Sequence, residues 1–296
     1  MNVGYYPGCS AHGTAQEFDL STRAICKKLN IEIPEIEEWN CCGASPAHQT
    51  NKELSFVLPY RVLALAESQG FDTILSPCAA CYSRLKFAEK ELEKDPSLNS
   101  RLSEISGIKY NQKVKIRHIL DFLVEDVTLE KVKEKITNPL TSLKVVSYYG
   151  CLLTRPKDVA DLDPDIENPT IMDRVVECTG AKAIFWPYKV ECCGAGLGVT
   201  QPKVAYRLIN EILITAEDYK ADCIIVACPL CHANLDMKQE QSAKQFNNNY
   251  HLPIIYITQL IGLAFGIDYR ELGLHKHMVS PFNLVNEKVY SLEGKL

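Results

Sequence analysis

The sequence predicts an α/β fold made of two pseudo-symmetric domains, each with a mostly parallel sheet flanked by helices. Two observations support this prediction. Short runs rich in β-branched residues alternate with longer helical patterns along the chain. The order of motifs in the first half also recurs in the second half. A turn-rich stretch at residues 138–142 separates the halves. We therefore expect an N-terminal domain over residues 1–140 and a C-terminal domain over residues 141–296.

The predicted elements follow from local periodicity and from turn residues. Strands are expected at residues 3–6, 31–35, 73–75, 145–149, 183–186, 224–227 and 254–257. Helices are expected at residues 15–29, 53–69, 82–93, 128–136, 170–179, 203–219 and 232–246. Because strands and helices alternate, the strands of each half should be mostly parallel.

Ten cysteines form the repeated motif. Each half contains one cysteine, then a Cys-Cys-Gly triplet, then a Cys-x-x-Cys pair. The first cysteine set is Cys9, Cys41, Cys42, Cys78 and Cys81, and the second is Cys151, Cys192, Cys193, Cys228 and Cys231. Thirty-one residues separate Cys9 from Cys41, and forty separate Cys151 from Cys192. Five cysteines in the same order twice indicate a duplicated domain, with extra loop in the second copy.

The cysteines lie where an α/β protein binds ligands. Cys9, Cys78, Cys151 and Cys228 each follow a predicted strand, and the carboxyl edge of a parallel sheet is the usual binding edge. Helix N-termini at this edge favour thiolates and anionic groups. Glycine after each Cys-Cys pair leaves room for backbone to approach a bulky group.

The composition indicates metal or cluster ligation. The chain has thirteen cysteines, an odd number that fits a paired disulfide framework badly. Zinc and ordinary iron–sulfur clusters need four ligands, so five cysteines per set suggest a cluster other than a plain cubane. Zinc in one set remains an alternative. Core packing is expected for the other three cysteines, Cys26, Cys178 and Cys223.

Charge and hydropathy exclude other classes. The net charge is −5 and the pI is near 5.9, which argues against a nucleic-acid partner. The start of the sequence has no secretory signal pattern. The longest apolar stretch, residues 254–267, is too short to span a bilayer. We therefore expect a cytoplasmic protein with no membrane contact.

Both cysteine sets resemble the CCG-domain family, and the whole chain resembles the heterodisulfide reductase B subunits of methanogenic archaea. The resemblance implies one non-cubane [4Fe–4S] cluster per domain, held by the five cysteines of each set. It also implies reduction of a small-molecule disulfide, the coenzyme M–coenzyme B heterodisulfide, to two thiols with one electron from each cluster.

The resemblance also implies partners. The chain contains no ferredoxin cysteine run and no placed G-x-G-x-x-G fingerprint, so electrons must come from elsewhere. The family implies a ferredoxin-like iron–sulfur subunit, a flavin-containing subunit, and an upstream hydrogenase or formate dehydrogenase. One alternative is a CCG electron-transfer subunit of a quinone-linked succinate, glycolate or lactate oxidoreductase. Another is a non-catalytic zinc or cluster scaffold.

Five residues near the motif cysteines are candidates for substrate binding. Arg155, Lys157 and Lys189 could bind an anionic group. His48 and His232 could donate a proton to a leaving thiolate. Solvated surface charge is the simpler interpretation of each basic residue, and a surface or supporting role is the simpler one of each histidine.

Overall fold

The computed structural model describes residues 1–44 and 50–290. Two parallel sheets occupy successive parts of the chain. The first has the order β1-β2-β3, with β1 at Val3–Tyr5, β2 at Thr73–Leu75 and β3 at Lys115–Arg117. The second has the order β5-β4-β6-β7, with β4 at Lys144–Tyr148, β5 at Lys182–Ala183, β6 at Cys223–Val226 and β7 at Ile254–Tyr256. This arrangement confirms the predicted α/β class.

The edge of the first sheet shows why one predicted strand is missing. The strand expected at residues 31–35 is reduced to a single parallel bridge between Tyr5 and Glu35. Tyr5 donates its N–H to the carbonyl of Pro34 at 2.7 Å, and Ile36 donates to the carbonyl of Tyr5 at 3.0 Å. Pro34 has no N–H with which to extend the ladder, so the pairing stops there.

Helices flank both sheets. The longer ones of the first half are Gln16–Lys28, Leu54–Ser68, Ala79–Lys94, Pro96–Ser106 and Leu129–Glu134. Those of the second half are Ile171–Cys178, Pro202–Asp218, Pro229–Met237, Gln239–Phe246 and Ile257–Ala264. Shorter helical turns lie at Gly8–Ala11, Ile119–Asp121, Ala195–Leu197, Leu274–Lys276 and Phe282–Val285, and π-helical turns at Phe122–Val127 and Asn286–Tyr290.

Two helices were not expected, and one predicted helix is divided. The segment predicted as one helix at residues 232–246 is two helices that meet at Lys238. Helix Ile257–Ala264 is buried on every residue, so it lacks the polar face that reveals a helix in a sequence. Helix Pro96–Ser106 begins with a capping signal that could have been found, because Asp95 accepts a hydrogen bond from the Ser97 N–H and proline follows it.

The two halves pack through these buried helices. Helix Ile257–Ala264 lies against helix Gln16–Lys28. The hydroxyls of Ser21 and Thr258, both fully buried, lie 2.6 Å apart across this contact. The Phe18 ring stacks on the Tyr256 ring at 4.2 Å. Since Tyr256 ends β7, the contact places the carboxyl edge of the second sheet against the first half. Among the described residues, no helix is both long enough and apolar enough to cross a bilayer.

Candidate metal centres

The first cysteine set gathers after β1, after β2 and beside the bridged edge. Cys9 is exposed, Cys41 is half-buried, and Cys42, Cys78 and Cys81 are buried. The Sγ atoms of Cys42 and Cys81 lie 3.3 Å apart, and those of Cys9 and Cys41 lie 3.9 Å apart. Residues far apart in sequence are thus brought together as the motif predicts.

The second cysteine set repeats the arrangement. Cys192 is exposed, Cys151 is half-buried, and Cys193, Cys228 and Cys231 are buried. The N–H of the triplet glycine donates to the first sulfur of the pair in both halves, at 3.5 Å from Gly43 to Cys41 and 3.4 Å from Gly194 to Cys192.

A buried tyrosine beneath each set fixes the Cys-Cys-Gly loop. The Tyr6 hydroxyl donates to the carbonyl of Asn40 at 2.8 Å, and the Tyr148 hydroxyl donates to the carbonyl of Glu191 at 2.6 Å. Asn40 and Glu191 each precede a Cys-Cys pair. Burial raises the pKa of both tyrosines well above the usual range, and the nearby cysteine sulfurs raise it further. Each loop is therefore held by a neutral phenol.

Two glycines make room for the last cysteine of each set. Gly8 and Gly150 have φ of +68° and +67°. A methyl group on Gly8 would lie 2.7 Å from Cys81 Sγ, and one on Gly150 would lie 2.8 Å from Cys231 Sγ. Both positions therefore require glycine for backbone conformation and for space.

The electrostatic surroundings favour the thiolate at some cysteines of each set and the thiol at others. Hydrogen bonds to neighbouring cysteines raise the pKa of Cys41, Cys81, Cys151 and Cys231. Cys78 and Cys228 are the N-cap residues of helices Ala79–Lys94 and Pro229–Met237, where the helix dipole stabilises negative charge. A hydrogen bond from Cys151 and then one from the Gly194 N–H lower the pKa of Cys192 to about 6, against an opposing effect of burial. Hydrogen bonds from neighbouring cysteines also lower the pKa of Cys42.

These two donor sets fit iron–sulfur clusters. Each set offers sulfurs in contact with one another, a backbone N–H directed at sulfur, and a glycine where a side chain would intrude. All thirteen cysteines lie in the described part of the chain and are free thiols. Soft thiolates are the usual ligands of iron–sulfur clusters.

His118 joins the two sets, although sequence reasoning did not select it. Its Nδ1 accepts the Leu120 N–H at 3.3 Å, so its proton lies on Nε2. That Nε2 lies 2.9 Å from the carbonyl oxygen of Pro77 and 3.1 Å from that of Ala227. Pro77 precedes Cys78 and Ala227 precedes Cys228. The carboxyl edges of the two sheets therefore meet at one imidazole.

Comparison with known proteins gives the family. The model of the cysteine-rich CCG domain matches twice, at residues 3–86 and 145–236. The chain belongs to the CCG family. The two matches begin at or next to β1 and β4, and each contains all five cysteines of one set.

Two relatives match the CCG protein along nearly its full length. The B subunit of the ferredoxin/F(420)H(2)-dependent CoB-CoM heterodisulfide reductase of Methanosarcina acetivorans is 33% identical, over 99% of this chain and 99% of the relative. The 8-methylmenaquinol:fumarate reductase membrane anchor subunit of Wolinella succinogenes is 32% identical, over 95% of this chain and 98% of the relative. The chain is thus an iron–sulfur oxidoreductase subunit of the CCG family, and its relatives belong to multi-subunit reductases.

A solved structure shares the fold. The crystal structure of a hypothetical protein from Helicobacter pylori superposes with a TM-score of 0.74 at 14% identity. The match covers 94% of this chain and 52% of that chain. At this identity the likeness concerns the fold alone.

The side chains beside the two CCG sets differ. Arg84, on the helix that follows Cys78, donates from Nη2 to the carbonyl of Ser55 at 2.6 Å, and its positive charge lowers the pKa of Cys42. Three residues after Cys231, the corresponding residue is Asn234. Asn234 donates its amide N–H to the carbonyl of Cys193 at 2.6 Å. At this position, the first set therefore has a cation and the second has a neutral amide.

The predicted substrate residues lie in different settings. Arg155 is exposed, 3.4 Å from Glu167, and its charge lowers the pKa of Cys192. Lys157 is exposed on the same loop. His48 lies outside the described residues.

Lys189 and His232 are buried. The Lys189 ammonium lies 2.6 Å from Asp173 Oδ2 and 3.0 Å from the carbonyl of Pro169. This ion pair gives Lys189 a structural role. His232 is 3% exposed and stacks on Tyr256 at 4.2 Å, with its Nδ1 3.7 Å from Glu17 Oε1.

The remaining cysteines are packing residues. Cys26 and Cys223 are fully buried, and burial raises the pKa of Cys26 to about 12. Cys178 is half-buried and donates to the carbonyl of Leu129 at 3.3 Å. None of these three cysteines has a sulfur contact with the motif sets among the described residues, in agreement with the expected core role.

Proposed function

We propose that this chain is the catalytic iron–sulfur subunit of a disulfide reductase. Each CCG domain would hold one non-cubane [4Fe–4S] cluster through its five cysteines. The substrate would be the mixed disulfide of coenzyme M and coenzyme B, reduced to two thiols. The observation that carries the proposal is the His118 bridge, in which one nitrogen contacts the residues preceding Cys78 and Cys228.

The His118 bridge supports this proposal because the reduction of a disulfide needs two electrons. Breaking a disulfide takes two electrons and two protons, whereas an iron–sulfur cluster usually transfers one electron. Two sets at one domain contact could serve the same disulfide, one electron from each side. Two sets on opposite faces of the protein could not.

The chain's own residues would hold and surround the reacting centre. Tyr6 and Tyr148 fix the ligand loops, and Gly8 and Gly150 leave space beside the ligands. Arg155 and Lys157, exposed near the second set, would attract the anionic tails of the substrate.

Partner proteins would supply the electrons. We propose a ferredoxin-like iron–sulfur subunit, together with a flavin-containing subunit, and a hydrogenase or formate dehydrogenase upstream. The M. acetivorans relative is named as part of a heterodisulfide reductase that depends on ferredoxin or F(420)H(2). The same comparison supports the disulfide as substrate.

A quinone-linked role is the second candidate. The W. succinogenes relative, named for 8-methylmenaquinol and fumarate, is nearly as similar to this chain as the first. In that case, the two sets would pass electrons between a quinol and a partner enzyme, with no disulfide bound between them.

The test uses the anaerobically purified chain. Two four-iron clusters predict about eight irons per chain, measured together with acid-labile sulfide. Turnover is then measured with a reduced viologen as artificial donor, with heterodisulfide as acceptor in one assay and a menaquinone analogue in the other. Disulfide turnover supports the first role. Quinone turnover alone supports the second, and stoichiometric zinc without iron would contradict both.

A further inference from the structure

Tyr256 is a fully buried residue at the contact between the two halves. Its ring lies between two other rings, Phe18 at 4.2 Å with an interplanar angle of 8° and His232 at 4.2 Å with 14°. Its backbone N–H donates to Gln259 Oε1 at 2.9 Å. Phe18 comes from the first half, and His232 directly follows Cys231. The ring is therefore held in one orientation by both halves.

The Tyr256 hydroxyl is buried and has no hydrogen-bond partner among the described residues. Other buried tyrosines have one: Tyr5 donates to Asp19, Tyr82 to Asp161 and Tyr148 to Glu191. An unpaired buried hydroxyl destabilises a protein, and phenylalanine would fill the same space without that penalty. The hydroxyl therefore needs a partner outside the described residues.

The position of Tyr256 indicates where that partner lies. Tyr256 pairs with Val226 at the carboxyl end of β6, two residues before Cys228. After burial and Glu17, the negative charges that most raise the pKa of Tyr256 are those of Cys228, Cys78 and Cys231. Because Cys78 belongs to the first set and the other two belong to the second, Tyr256 lies near cysteines of both sets, where His118 brings the residues before Cys78 and Cys228 together.

The hydrogen bonds around His232 occupy the side chains that could otherwise bind a metal ion. His232, Asp236 and His277 have ligand atoms close enough together for a cation. However, Gln259 accepts from the Tyr256 N–H, so its amide N–H groups donate to Leu272 and to His277 Nε2. His277 therefore carries its proton on Nδ1, which lies 3.3 Å from His232 Nε2. In this tautomer, Nδ1 has no lone pair for a metal ion, and the lone pair of Nε2 accepts from Gln259.

We propose that the Tyr256 hydroxyl donates a hydrogen bond to a sulfur of the disulfide bound between the two cysteine sets, and so positions the substrate. This inference rests on the proposed function. The acceptor is a sulfur atom with lone pairs and no proton to donate, which suits a disulfide or a product thiolate. The hydroxyl keeps its proton throughout, so the two protons of the reaction come from elsewhere.

The test compares Tyr256→Phe with Tyr250→Phe. The first change keeps the stacked ring and removes only the hydroxyl. The control removes a buried hydroxyl that donates to Ser242. Iron content and the thermal unfolding midpoint are measured first. The iron content of Tyr256→Phe should match wild type, and its unfolding midpoint should be equal or higher, because the lost hydroxyl has no partner in the described part of the chain.

The decisive measurements are substrate kinetics and a binding titration. The dissociation constant of the product thiol is obtained from its effect on the cluster EPR spectrum. We expect a roughly tenfold weaker product affinity and a similar fall in kcat/KM for Tyr256→Phe. The spectrum and potentials without ligand should be unchanged, and Tyr250→Phe should match wild type in these kinetic and binding values.

Two results would overturn the inference. A Tyr256→Phe variant with unchanged kinetics and product affinity would mean that the hydroxyl has no substrate partner. A changed spectrum in the absence of ligand would mean that the hydroxyl donates to a cluster instead. Wild-type protein that fails to reduce the disulfide at all would contradict the proposed function itself, which separates the two failures.

Discussion

The two CCG domains share their ligand-holding backbone but differ in the charges around it. In both, a left-handed glycine follows the first strand, a tyrosine hydroxyl holds the residue before the Cys-Cys pair, and the triplet glycine donates to sulfur. By contrast, Arg84 beside the first set corresponds to Asn234 beside the second. The comparison indicates that ligand geometry was retained after duplication, whereas the electrostatic environment diverged.

The difference extends to the residues that follow each Cys-x-x-Cys pair. In the first domain, Tyr82 and Lys86 both contact Asp161 of the other half, at 2.8 Å and 3.1 Å. In the second, the corresponding His232 and Asp236 line a cavity of about 230 Å³ together with Glu17. One side of the domain contact is thus closed by an ion pair, while the other contains two buried carboxyl groups. Burial raises the pKa of both Glu17 and Asp236.

The largest expected effect tests the shared backbone. Gly8→Ala and Gly150→Ala each place a methyl group within 2.8 Å of a ligand sulfur at positive φ. Each should remove one cluster, so iron should fall by roughly half in either variant. Iron analysis measures this, with Gly107→Ala as the control, since Gly107 has φ +71° and nothing within 4 Å of the added methyl. If Gly8→Ala kept all of its iron, Gly8 and Gly150 would not have equivalent roles beside the two cysteine sets.

The next prediction concerns His118, whose counterpart in the repeat is Ile257. Burial lowers the pKa of His118 to about 4, so the folded chain keeps it neutral at pH 5 while the unfolded chain protonates it. Stability should therefore fall as the pH falls below about 6.5, by about 2 kcal/mol at pH 5. His118→Gln keeps a donor that does not titrate and should lack this component.

The measurement for His118 is the thermal unfolding midpoint at pH 7 and at pH 5. Unfolding is monitored through the loss of cluster absorbance. His277, with a pKa also lowered to about 4 by burial, is present in both proteins and cancels in the difference. Equal losses in wild type and His118→Gln would show that His118 is not a neutral bridge between the two sheets.

The sequence predicted the residues that recur in both halves, and it did not predict functional residues that occur in one half alone. The cysteine sets were predictable because identical residues recur at nearly identical spacings. β3 was missed because its three residues, Lys115 to Arg117, include a single apolar side chain. His118 and Tyr256 were missed because their counterparts, Ile257 and Arg117, are unlike them, and a repeat comparison shows only what is shared. Both nevertheless lie in stretches that align in the repeat, residues 115–123 and 254–262.

Lys189 shows a different limit. Its closeness to Cys192 in sequence indicated a substrate role, but its ammonium lies in a buried pair with Asp173. Sequence distance does not give the direction of a side chain, and a buried lysine requires a partner that no local pattern reveals.

The charge difference between Arg84 and Asn234 should affect the reduction potential of the first cluster. Arg84→Gln removes a cation whose charge acts on Cys42, so adding an electron to the first cluster should become less favourable. We expect the reduction potential of that cluster to fall by roughly 50 mV, or about 1 kcal/mol for one electron. The second potential should not change. EPR-monitored redox titration measures both, with the exposed Arg101→Gln as control. Equal shifts in both potentials would argue against a local effect.

The smallest expected effect concerns the exposed cations near the second set. Arg155 has 45% of its side chain exposed and an ion pair with Glu167, so solvent screens its charge strongly. Arg155→Gln should raise the KM for an anionic disulfide about two- to fivefold at low salt, with kcat and the cluster spectrum unchanged. The effect should shrink at high salt.

Lys157→Gln separates the local charge of Arg155 from the general charge of its loop. Both side chains are exposed on that loop, but only the charge of Arg155 is known to act on Cys192, whose pKa it lowers. Lys157→Gln should therefore raise KM as well, but by less than Arg155→Gln does. Steady-state kinetics at two ionic strengths measure this, with Lys109→Gln, exposed on the first half, as the matched control. A KM that stays at the wild-type value in Arg155→Gln would mean that the exposed cation of the second domain does not bind the substrate's charge. Arg84 would then be the cation that distinguishes the two domains.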